Sequence, residues 1–174
     1  MAAGRVYHWK HGWIPVSPEA KAFRAGRGPN PTDVRKVAGA DLPSVIKRDG
    51  GFTYNPRSGG LLEVGKNKGF AVAVPGTEEI VGNGDVDRES FARGVATVLM
   101  KHRAAIAKGA VVGGWYSPDR DQYMVELTEI HPADDRAGAI RLGRKRNQEA
   151  IFDLATGDTI PTGGTGDATR SEAA

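Results

Sequence analysis

Side chains able to do chemistry are few and scattered along this 174-residue chain. Its four histidines are His8, His11, His102 and His131. His8 and His11 are spaced like half a metal site, but no thiol or second pair completes it, so no metal centre is expected. His102 falls in an apolar helix stripe and reads as a packed or boundary histidine, while His131 opens a turn. Carboxylates pair at Asp119/Asp121 and at Asp134/Asp135. Paired acids for hydrolysis must face each other across a pocket. Here the first pair falls in a hairpin loop. The second falls at a helix start, where Asp caps free N–H groups and meets the positive end of the dipole. The turn Gly-Asn-Gly-Asp at 82–85 opens a helix and could seat an anion, though turn chemistry already accounts for it. No phosphate-binding loop, nucleophile elbow, zinc-protease motif or dinucleotide fingerprint occurs. No catalytic residue, metal or cofactor is assigned, and the pattern favours a binding protein over an enzyme.

Charge and aromatic residues are more informative. Residues 1–50 carry nine Lys/Arg against four Asp/Glu, a balance of +5, so the rest of the chain carries −2 of the net +3. The basic character therefore belongs to an N-terminal arm, which would attract nucleic acid, an anionic surface or an acidic protein. Arg5, Lys10, Lys21, Arg24 and Arg27 supply its charge, and Trp9 and Trp13 are candidate apolar anchors in a partner's groove. A second basic run, GRKRNQ, contains Arg144, Lys145 and Arg146. It satisfies the dipole of a helix C-terminus, with phosphate contact as the competing role. A third candidate is Trp115 in GGWYSPDRDQYMVEL, because an exposed indole on an open sheet can stack on a base, although packing of Trp13 or Phe52 over it is the favoured reading.

Composition bounds the class. The absence of cysteine excludes disulfides, thiolate metal sites and a cysteine nucleophile. No apolar run approaches the roughly 20 residues that span a bilayer. The start lacks the continuous apolar stretch of a secretory signal. A soluble protein without a membrane partner is expected.

The elements that would position these residues follow from periodicity. The first 50 residues are rich in Pro and Gly and read as mostly irregular, with a short helix after Thr32 or Asp33. GFTYN is a short strand before a turn, and GFAVAVPG, residues 69–76, is a buried strand that points Phe70, Val72 and Val74 inward. Phe91, Val95, Val98, Leu99, His102 and Ile106 form one helical stripe, capped by Asp85 or Asp87 and ended by Gly109. A hairpin follows, with Pro118–Asp121 as its loop. It sets Tyr116 against Tyr123 and Val112 against Leu127 on the helix side, and Trp115 against Met124 on the other. A helix over 135–148, a strand in EAIFDL, a turn at Thr156-Gly157 and a short return complete the fold. The order from Gly69 is βαββαβ. That predicts an α+β, ferredoxin-like, four-stranded antiparallel sheet with two helices on one face, plus the irregular basic arm. The boundaries expected are 1–50 for the arm, 51–162 for the α+β domain and 163–174 for a disordered tail.

Two resemblances bear on function. KGFAVAVPG resembles part of the aromatic strand signature of RNA-recognition domains, but Val72 and Val74-Pro75 replace its later aromatics, and it falls on the first strand rather than the third. GRVYHWKHGWIPVSP, GGFTYNPRSGG with GFAVAVPG, and VGGWYSPDRDQYMVELTEI followed by NQEAIFDLATGDTIPTGG together cover most of residues 5–164. They resemble a domain of actinobacterial phages and mobile elements, which stands alone or is joined to MuF-type head-morphogenesis and polyvalent phage proteins. Met124-Val125-Glu126 departs from the Leu-Asp pair that this pattern has after its Tyr. The resemblance implies a setting rather than an activity: a phage accessory or virion-associated protein, in the virion or host cytoplasm, whose partner is a phage structural or assembly protein. A nucleic-acid-binding module and a phage-encoded enzyme acting on a host target are the alternatives.

Overall fold

The computed structural model describes residues 5–8, 12–15, 18, 22–23 and 25–166, with the backbone alone described at 5–8 and 12–15. Strands β1 (Arg5–His8) and β2 (Gly12–Pro15) pair antiparallel as a separate ribbon, with Tyr7 opposite Trp13. Helix α1 (Pro31–Ala38) starts where the Asn30 side chain accepts from the Thr32 N–H at 2.9 Å, with Pro31 in the first turn, where its missing N–H costs nothing. Helix α2 (Leu42–Asp49) ends at Gly50, whose φ of 79° is the left-handed turn that glycine adopts without strain.

Strands β3 (Gly51–Asn55), β4 (Gly60–Leu61), β5 (Phe70–Ala73) and β6 (Glu79–Gly82) follow, then helices α3 (Arg88–Lys101) and α4 (Arg103–Ala107). The hairpin β7 (Val111–Ser117) and β8 (Gln122–His131), helix α5 (Arg136–Lys145), and strands β9 (Ala150–Asp153) and β10 (Thr159–Pro161) complete the described chain. The main sheet has eight antiparallel strands in the order β10-β9-β5-β8-β7-β3-β4, with β6 also paired to β8, and it curls into a half-barrel. No helix among the described residues is long and apolar enough to cross a membrane.

The four-stranded ferredoxin-like sheet with two helices and an irregular arm is therefore incorrect. The main sheet has eight strands, and five helices are described, because short elements extend the sheet and cover it. Strands β4 and β10 have two and three residues, too few to show an alternating pattern. Helices α1 and α2 have eight residues each, and only Val37, Leu42, Val45 and Ile46 of their side chains are buried. Four apolar residues among prolines and charges do not register as a helical period. Yet these four join Phe52, Tyr54, Phe91, Val95, Val98, Val112, Val125 and Leu127 in the main core. A second cluster joins Phe70, Val72, Ala139, Ile151 and Ile160 beneath α5. Strand alternation puts both clusters on the same face of the sheet.

The hairpin has the register read from its sequence: Tyr116 faces Tyr123, Trp115 faces Met124 and Val112 faces Leu127. Asp87, not Asp85, caps α3 by accepting from the Ser90 N–H at 2.7 Å. The long stripe of Phe91 to Ile106 breaks at His102, which ends α3 and begins α4. The tail expected from residue 163 is described only to 166, and there the Gly166 N–H donates to the Asn147 carbonyl at 2.9 Å.

Strands β5 and β6 lie end to end along β8. Ala73 faces Thr128 and Glu79 faces Val125, so residues 74–78 span a stretch that β8 covers with 126 and 127 alone. Such a bulge leaves ladder groups without backbone partners. Thr77 closes the gap: its hydroxyl accepts from the Leu127 N–H at 3.0 Å and donates to the Val74 carbonyl at 2.7 Å. Thr77 is buried, so water cannot take over this role. Thr77→Val should therefore cost about 1–3 kcal/mol, the range for an unsatisfied buried donor. Thr77→Ser should retain most of the stability. Urea unfolding of the two variants checks this, and equal losses would mean that the hydroxyl is not what matters.

Candidate functional site

Three places gather polar side chains that the sequence keeps apart. The first is a groove of about 440 Å³ lined by Arg27, Gly28, Pro29, Pro31, Val34, Arg35, Glu89, Arg93 and Thr97, with Ala22 at its end. Backbone bonds from Arg27 N to the Ala22 carbonyl (2.8 Å) and from Gly26 N to the Phe23 carbonyl (2.9 Å) turn the chain so that Arg27 reaches this groove. Arg35 comes from α1, and Arg93 and Glu89 are one turn apart on α3. Arg93 bridges Glu89 at 2.6 Å, while Arg27 and Arg35 are exposed. Among the described residues, Arg27 and Arg35 add two guanidinium groups beside the Arg93–Glu89 pair, so this lining is cationic, with an apolar floor of Pro29, Pro31 and Val34.

The second place is the sheet face away from the helices. Val111, Met124, Glu126, Thr128, Thr53 and Ser117 are all buried there, so this face is covered rather than open as base stacking would need. Trp115 is half-buried, and its indole N–H is placed to favour the charged form of the Glu126 carboxyl. The pair Gly113-Gly114 makes both faces possible. A side chain at Gly114 would collide with the Phe52 ring on the helix side, and a Cβ at Gly113 would lie 2.6 Å from Thr128 Oγ1 on the other. Glu126 lies opposite Gly113 and only 8% of it is exposed. Burial pushes its carboxyl up to about 8, the charge of Glu78 adds to the rise, and the Trp115 indole opposes it. At neutral pH it is a carboxylic acid able to donate.

The third is a smaller cleft between α1, β3 and the α3–α4 junction, lined by Asn30, Asp33, Lys36, Tyr54, Arg103 and apolar neighbours.

The remaining candidates are dispersed. Trp9, Lys10, Lys21 and Arg24 lie outside the described residues, and of Arg5 and Trp13 only the backbone is described, on β1 and β2. Arg144 Nε donates to the Thr162 carbonyl at 3.0 Å. Arg146 donates to the Ala73 carbonyl at 3.1 Å and pairs with Glu129 at 2.5 Å, so both arginines serve the fold at the end of α5. Lys145 alone of the three makes no such bond among the described residues. Asp121 accepts from the Tyr116 hydroxyl at 2.8 Å. Asp135 accepts from the Gly138 N–H at 2.8 Å, and the His131 ring beside it, 3.0 Å away, is the main cause holding its carboxyl below the usual range. Asp119, Asp134, His102 and His131 line neither cleft, and no group of acidic or histidine side chains able to hold a metal occurs among the described residues. Arg35, Arg93, Glu126 and Tyr54 were missed in the sequence. Nothing in their spacing marks them, because strand pairing and helix packing bring them to their sites.

Glu126 makes stability depend on pH. An unfolded Glu titrates at about 4.3, well below the folded value, so between the two the folded chain holds a proton that the unfolded chain has lost. Stability should therefore fall as pH rises through this window, by at most about 1.4 kcal/mol per pH unit. Glu126→Gln should flatten that slope and raise the melting temperature at pH 8 relative to the parent. Parallel melting curves from pH 5 to 8 test this, and an unchanged slope would mean that Glu126 is not a buried acid.

No family model matches the chain, and neither the curated proteins nor the solved structures contain a significant match to it.

Proposed function

We propose that the chain is a binding module that docks onto a larger assembly through its basic N-terminal stretch, and that the groove of Arg27, Arg35 and Arg93 is where an acidic segment of the partner anchors. The carrying observation is the convergence of these three arginines, from three separate parts of the chain, on one groove, where Glu89 is the one carboxylate among the described lining residues. Guanidinium groups donate in a planar fork that matches carboxylates, and an apolar floor gives the partner's side chains a surface to bury. The charge balance of +5 within residues 1–50 supports the same reading, since it concentrates long-range attraction where the groove lies. The proposed setting is a phage or mobile element, with the protein acting as an accessory or virion-associated component in the virion or host cytoplasm. Its support is the three-stretch sequence resemblance.

A labelled decaglutamate peptide and a labelled single-stranded oligonucleotide distinguish an acidic protein partner from nucleic acid. The peptide should bind more tightly than the oligonucleotide at physiological salt, and the double variant Arg27→Glu/Arg35→Glu should weaken it at least about tenfold, as expected for reversing two contacting charges. Tighter binding of the oligonucleotide, with a steep loss of affinity as salt rises, would replace this reading with phosphate recognition. Peptide binding unchanged in the double variant would remove the groove from it.

A further inference from the structure

Tyr54 is only 1% exposed, its ring packed in the main core, yet it lines the cleft between α1, β3 and the α3–α4 junction. Its hydroxyl makes no hydrogen bond among the described residues, and it is not sealed in, since no fully enclosed side-chain polar atom there lacks a partner. A buried phenol normally finds a partner for its O–H, because an unmade bond is costly. This one is left open towards the cleft. The charge of Asp33, which lines the same cleft, is felt at the phenol. Burial first and Asp33 second raise the Tyr54 pKa, so the oxygen keeps its proton and remains a donor.

The cleft holds about 220 Å³, the scale of a small molecule rather than a peptide. Val37, Leu99 and Ile106 make its walls apolar, and Lys36 and Arg103 stand exposed at its rim without an ion pair among the described residues. Among the described residues, two cations and a phenol donor against one carboxylate favour an anionic head group, and the apolar walls favour a hydrocarbon body. We infer that this cleft is a binding site for a small amphipathic carboxylate, its head between Lys36, Arg103 and the Tyr54 hydroxyl and its body against Val37, Leu99 and Ile106. This site is distinct from the arginine groove and does not rest on the docking proposal.

Hexanoate is the probe, with hexylamine and hexanamide as counterparts of equal chain length, followed by chemical-shift titration of the full chain. Hexanoate should bind saturably and more tightly than either counterpart. Tyr54→Phe, which removes only the open hydroxyl, should weaken it about fivefold, the equivalent of one hydrogen bond. Asp33→Asn should tighten hexanoate binding by removing the one repulsive charge, whereas a merely structural change would not improve affinity. Lys36→Ala/Arg103→Ala should weaken hexanoate and leave hexanamide unchanged. Melting curves of each variant separate lost binding from lost fold. The inference is overturned if hexanoate shows no saturable shifts, if hexylamine binds as well, or if folded Tyr54→Phe binds hexanoate like the parent.

Discussion

The aromatic contact at the start of α3 fixes this helix on the sheet. Phe91 is fully buried and meets Phe52 edge-on at 6.2 Å and Tyr123 edge-on at 5.4 Å, while Tyr123 in turn lies 4.7 Å from Tyr116. These rings come from α3, β3, β8 and β7. Edge-to-face pairs contribute about 0.5–1.5 kcal/mol beyond the area that they bury, so this set both fills the core and orients the helix against the sheet. It also explains Gly114: only a residue without a side chain lets the Phe52 ring lie over β7. The arginine groove depends on it too, because Arg93 and Glu89 flank Phe91 on the same helix and are aimed by its packing.

The same sheet tolerates an acid within it. Glu126 is one of several buried polar residues on the second face, where it lies opposite Gly113, which has no side chain to crowd it. A carboxyl in such surroundings avoids the large desolvation cost by holding its proton. The bulge beside it at residues 74–78 breaks the ladder, and Thr77 repairs it with a side chain. Polar groups in this sheet are thus satisfied one by one rather than excluded.

Legibility followed the strength of local pattern. The β7–β8 hairpin was readable to the residue pair, since the turn Pro118–Asp121 fixes register and a slip by one would turn every apolar side chain to the wrong face. Helix α3 was readable because Phe91, Val95 and Val98 recur at helical spacing over several turns. Helices α1 and α2 were not recognised as part of the core, because each buries too few side chains to show a period. Among the candidate site residues, Arg27 was legible through its charge in the basic stretch, whereas Arg35 and Arg93 looked like ordinary surface arginines.

By itself the sequence determined the α+β class, the order of the longer elements, the faces of the hairpin and the concentration of basic charge in the first 50 residues. These are local properties, set by side-chain type and spacing along a short stretch. Only the tertiary structure decided that eight strands join in one sheet, that Glu126 is buried, and that residues 27, 35 and 93 share a groove while residues 33, 36, 54 and 103 share a cleft. The reason is that burial and convergence depend on contacts between segments dozens of residues apart, and no local pattern encodes the distance between them.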